Sequence, residues 1–143
     1  MKRMSLRITV AIAALLLFAP TMLAQVPPTP RPDFRISFDR QMNKVVPGGS
    51  AIYHVFLTPL DGFTGTVMLD CDMFAPYERY SISPSKVTLG GLLPIPIVTI
   101  TITTHPRSPG GMTHFMFTAR AVGPTPHSRE SHSAGLSLMV MSK

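Results

Sequence analysis

From Asp33 onward, apolar and polar residues alternate in short runs. The segment 97–104 is the clearest, with Val98, Ile100 and Ile102 interleaved by Thr99, Thr101 and Thr103. Side chains of a strand leave alternately to opposite faces, so the aliphatic set faces a core and the threonines face water. The same rule turns Tyr53, Val55 and Leu57 inward, and likewise Val67, Leu69 and Cys71, then Phe115, Phe117 and Ala119, then Leu136, Leu138 and Val140. Strands are predicted over 33–39, 43–46, 50–58, 66–72, 79–83, 87–89, 97–104, 112–122 and 132–141. Turn residues separate them: Pro47-Gly48-Gly49, the stretch 59–65, Pro76, Pro84, Gly90-Gly91, the stretch 106–111 and the stretch 123–126. No window carries a sustained 3.6-residue apolar repeat. An all-β, two-sheet antiparallel sandwich of seven to nine strands follows, because one buried face per strand is what two packed sheets require.

The other faces are not uniformly polar. Ile52, Phe56, Met68, Met116, Met139 and Met141 fall at outward positions. Single exposed apolar residues are ordinary, but several on adjoining strands make a patch that a partner covers, so these six form the candidate interaction face.

The N-terminus reads differently. Lys2, Arg3 and Arg7 precede an apolar run from Ile8 to Ala19 that ends at Pro20, the anatomy of a signal peptide and too short for a membrane span. Cleavage is expected between Ala24 and Gln25. The organisation is then a signal-peptide helix over 1–24, a proline-rich spacer over 25–32 with four prolines between Val26 and Pro32, and one domain over 33–143. No membrane span remains after cleavage. The chain's formal charge is +6, from 13 basic and 7 acidic residues. Three of the basic residues leave with the leader, so ten remain against seven acids. They are scattered, which argues against a nucleic-acid partner. Cys71 is the single cysteine; an internal disulfide is excluded, and its inward position makes it a small buried hydrophobe.

Three constellations carry residue types with catalytic or ligating chemistry. Ser128, Glu130 and His132 stand close together in a polar segment that reads as a solvated loop rather than a hydrolytic triad. Asp70 and Asp72 flank the inward Cys71 and point outward together, too few oxygens for a calcium site. Soft-metal binding is the more serious alternative, because the exported chain keeps seven Met and five His. On the strand 112–122, His114 and Met116 share the outward face, and His54 would join them if its strand were the neighbour. His127 and His132 lie in the segment beyond. The plainer account is ordinary surface His and gap-filling Met, with no metal and no cofactor.

The run V-P-G-G-S-A-I-Y-H-V-F-L-T-P-L-D-G-F-T-G-T-V-M-L at 46–69, and I-S-P-S-K-V-T-L-G-G at 82–91, resemble bacterial immunoglobulin-like domains of secreted and cell-surface proteins. The resemblance spans about 33–141. It implies a sandwich with structural or adhesive roles, a protein or glycan partner at the envelope, and no active site. It does not imply the Cys and Trp pair of antibody domains, and this chain has no Trp. A periplasmic copper-binding protein using His54, His114 and Met116 is the alternative.

Overall fold

A computed structural model describes residues 29–73, 75–123 and 130–142. The leader, its cleavage site at Ala24 and Gln25, the spacer as far as position 28, and His127 and Ser128 lie outside them. The described residues form nine strands: β1 (Asp33–Phe38), β2 (Met42–Val45), β3 (Ser50–Leu60), β4 (Gly65–Met73), β5 (Glu78–Ser83), β6 (Lys86–Leu89), β7 (Val98–Thr104), β8 (Gly111–Val122) and β9 (Ser131–Val140). They form a four-stranded sheet in the order β1-β3-β7-β5 and a five-stranded sheet in the order β2-β9-β8-β4-β6.

The two sheets share their edges. β1 runs antiparallel to β3 and, three residues later, the chain re-enters the opposite sheet as β2. Its hydrogen bonds follow it across: Asp39 N–H still donates to His54 O, and then Ser137 N–H donates to Gln41 O. On the other side β5 pairs with β7, and after the cis Ser83–Pro84 peptide the chain re-emerges as β6 against β4. Pro84 lacks the N–H that would carry the first ladder further. One chain run therefore closes each side of the sandwich, and the edge strands are short, which limits the length of unpaired backbone open to edge-on association.

Two expectations need correcting. The sandwich is not wholly antiparallel: β2 is parallel to β9, because the first run keeps its direction as it changes sheets and lands beside the last strand. Pro59 does not end its strand, which continues to Leu60. β7 pairs only with the stretch from Ser50 to Val55, so the far end of β3 needs a ladder on one side alone, where proline is tolerated.

Every side chain assigned inward by alternation is buried, and Tyr53, Val55, Val67, Val98, Ile100, Ile102, Phe117, Ala119 and Leu138 are fully so. Aromatic rings bridge the two layers in edge-on contacts, Tyr53 with Phe115 and Phe38 with Phe117, both at 5.6 Å between centroids, a geometry the ring quadrupoles favour. Phe63, in the turn between β3 and β4, folds back into the core against Phe34 at 5.2 Å. Tyr53 crosses the sandwich, its hydroxyl donating to Ser137 O at 2.6 Å, which supplies the partner that a buried phenol needs.

Candidate functional site

The outer face of the five-stranded sheet is where sulfur and imidazole collect. On β8 the residues opposite the buried Phe115, Phe117 and Ala119 are Met112, His114, Met116, Thr118 and Arg120, and alternation alone aims them at solvent. Register then sets their neighbours. Met112 is paired with Met139 of β9, His114 with Ser137, and Met116 with Gly135. On the other flank Met116 faces Asp72 of β4, and Met68 faces Arg120. On β2, Met42 and Lys44 pair with Ser137 and Met139. Met42, Met68, Met112 and Met116 are each close to half exposed, between 45% and 47%.

A shallow hollow opens on this face between His114, Met116, Gly135, Ser137 and Asp72. Gly135 presents no side chain to it, and a β-carbon placed there would meet nothing within 4 Å. His114 Nδ1 lies 2.9 Å from Ser137 Oγ, so the ring is held by a hydroxyl of the residue paired with it on β9.

The six residues of the expected interaction face are divided between the two sheets. Met68, Met116 and Met139 share the outer face just described, and Met141 follows β9 directly, its N–H donating to Val45 O. Ile52 and Phe56 stand on β3, in the four-stranded sheet, and leave the opposite side of the molecule. His54 is on β3 too, so it does not join His114 and Met116 as a ligand set. It is held by Asp39, which accepts the His54 backbone N–H at 3.0 Å and lies 3.0 Å from the ring Nδ1. Alternation assigns a side chain to the inside or the outside but does not say in which sheet its strand lies, so residues of the two outer faces look alike in sequence.

The other constellations are also accounted for. His132 Nε2 lies 2.7 Å from Asp33 Oδ1, and its ring sits edge-on to Phe34 at 4.8 Å; it fastens the start of β1 to β9. Glu130 contributes its backbone carbonyl to Ala121 N–H. Asp70 does not act as half of a free pair, since it accepts the Tyr80 hydroxyl at 2.9 Å and the Cys71 N–H at 2.8 Å. Among the described residues no three His, Cys, Asp or Glu side chains come together as a metal-ligand group.

Titration follows the same geometry. Burial, reinforced by the neighbouring Asp70 and Asp72 charges, pushes the Cys71 thiol up to about 12, which makes it a packing group and not a nucleophile. Burial likewise raises Tyr53 to about 12. For Asp39, partial desolvation works upward, but hydrogen bonds from the His54 backbone and ring and from Arg40 outweigh it and bring the carboxyl down to about 2. Asp33 is lowered by the same balance, with His132 and the Phe34 N–H as donors.

No family model matches the chain, and no curated protein matches it. Its fold is similar to that of a solved structure. That structure, a crystal structure of domains 4 and 5 of the S-layer protein SbsC, superposes with a TM-score of 0.53 at 18% identity, over 78% of this chain and 54% of that one. The chain thus spans about half the length of the structure it matches. At this identity the likeness is one of fold.

Two surface features escaped the sequence reading. Leu92 and Leu93, in the segment between β6 and β7, stand almost wholly in solvent at 106% and 84%. The signal was present as two adjacent leucines after Gly90-Gly91, outside any alternating run. Where β5 begins and β7 ends, a notch is lined by Tyr77, Glu78, Arg79, His105 and Arg107 together with Pro76 and Pro106. Beneath it the buried Ser108 hydroxyl donates to Glu78 at 2.9 Å. These residues come from two separate segments, so only the folded chain brings them together.

Proposed function

We propose that the exported chain is a non-catalytic immunoglobulin-like module with a structural or adhesive role at the envelope, contacting a protein or glycan partner. The observation that carries this reading is the sandwich itself. With β1/β2 and β5/β6 each counted as one run, seven strands remain. The sheet β1-β3-β7-β5 then has the A-B-E-D order of constant-type immunoglobulin domains, and β9-β8-β4 has their G-F-C order. Its departure is that the edge run crosses from the first sheet to the second after β5. The likeness in fold to domains of an S-layer protein favours a surface setting, as does the leader-like N-terminus with its proline-rich continuation.

The test is expression of the full chain in a bacterial host, followed by fractionation, mass measurement and titration of the recovered protein onto envelope preparations. The reading expects a product beginning at Gln25 outside the cytoplasm and saturable binding. An uncut chain in the cytoplasm with no saturable binding overturns it.

A further inference from the structure

We propose that the outer face of the five-stranded sheet binds a soft monovalent metal ion, Cu(I), through Met112, His114 and Met116, with Met139 beside them. The inference stands independently of the module reading. The sequence M-T-H-F-M at 112–116 lies within β8, where residues two apart share a face and are about 6.8 Å apart at the usual rise. His114 is thus flanked on one face by two thioethers, each on an unbranched side chain with three rotatable bonds that can lean toward it. Met139 is directly opposite Met112, where side chains meet at roughly 4.5–5.5 Å between β-carbons.

The imidazole is prepared for this role. His114 Nδ1 lies 2.9 Å from Ser137 Oγ; in the tautomer that carries Nδ1–H it donates to that hydroxyl and keeps the Nε2 lone pair for a metal, the outer-sphere arrangement that fixes tautomer and ring orientation in histidine metal ligands. Gly135, paired with Met116, presents no side chain on this face, and the Asp72 carboxylate on the rim of the hollow favours a cation. His54 and His132 differ, each being held against a carboxylate. The ligand set selects the metal: two or three thioethers and one imidazole suit Cu(I), whereas calcium and magnesium need oxygen donors that this face does not assemble. The site also gives a reason for half-exposed methionines on a face where threonine and serine would be cheaper to solvate.

The experiment is a Cu(I) titration of the purified full chain under reducing conditions, in competition with a chromophoric Cu(I) chelator, with circular dichroism to check folding of each variant. One Cu(I) per chain is expected. Met112→Leu, His114→Gln and Met116→Leu should each weaken binding by about 10- to 100-fold, and Ser137→Ala by about 10-fold through the freed ring. Met68→Leu, on β4 of the same sheet and paired with Arg120, and His54→Gln, on the other sheet, should leave affinity unchanged. The proposal is overturned if the wild-type chain holds no stoichiometric Cu(I) against the chelator. It is overturned equally if the folded triple variant M112L/H114Q/M116L retains the metal with wild-type affinity. Because the readout is metal affinity in vitro, it is separate from export and envelope binding.

Discussion

Gly90 and Gly62 form a matched pair that separates backbone strain from packing. Their φ angles are nearly equal, +76° and +77°, in the left-handed region that side chains disfavour. Their surroundings are opposite. A β-carbon at Gly62 would meet nothing within 4 Å, whereas at Gly90 it would lie 2.5 Å from Thr64 Cγ2, 2.7 Å from Phe63 O and 2.9 Å from Thr64 Cα. Two of those three atoms are backbone and cannot rotate away. For Gly62→Ala the left-handed conformation costs about 1–2 kcal/mol, partly offset by about 0.4–1 kcal/mol from a less flexible unfolded chain. A net loss near 1 kcal/mol follows. Gly90→Ala carries the same terms plus roughly 1–3 kcal/mol for forcing the Phe63–Thr64 backbone away, a total of about 2–4 kcal/mol out of a typical 5–15. The strain falls where Gly65 pairs with Leu89 and where Phe63 enters the core, so relaxation would disturb both. Urea denaturation of the two variants measures the difference, with thermal melting as a check at about 4 °C per kcal/mol for a domain of this size. If the two midpoints shift by the same amount, the close approach of Gly90 to the β3–β4 turn is not a packing constraint and the reasoning fails.

Tyr53→Phe should cost about 1–2 kcal/mol in the same assay, because it removes the hydroxyl that Ser137 O accepts across the core; an unchanged midpoint would show that the carbonyl finds another partner. Ile100→Asp places a charge at a fully buried position and should abolish the cooperative melt, since an unpaired buried charge costs as much as the domain's stability; a variant melting like the parent would refute the assigned register. The Asp39 carboxyl titrates at about 2 in the folded chain against an ordinary 3.8, so its contribution is present above pH 4 and is lost as pH falls toward 2. Asp39→Asn should therefore flatten the acid limb of stability by about 1 kcal/mol or less, the scale of a surface pair. Cys71, with its thiol pushed up to about 12, should resist iodoacetamide at pH 8 until the chain is unfolded, and rapid alkylation of the native protein would contradict its burial.

How far the fold was legible depended on which part of it is local. Strand alternation has a period of two residues and is written directly in the order of side chains, so the buried set from Tyr53 to Val140 and all nine strand positions could be assigned from the chain alone. Strand length through Pro59 could not, because whether a missing N–H matters depends on whether a neighbour needs it, and β7 stops at Val55.

The candidate site divides along the same line. That Met112, His114 and Met116 share a face follows from their spacing. That Ser137 lies against His114, that Gly135 stands beside Met116 and that Met139 stands opposite Met112 depend on register between β8 and β9, which are separated in sequence but adjacent in the sheet. The removal of His54 from that set is a matter of sheet membership. Two outward side chains look alike in sequence whether they leave the same face or opposite ones, because period-two alternation specifies only core or solvent. The choice of sheet is made when β3 finds β7 and β8 finds β9, and only tertiary packing decides those partners.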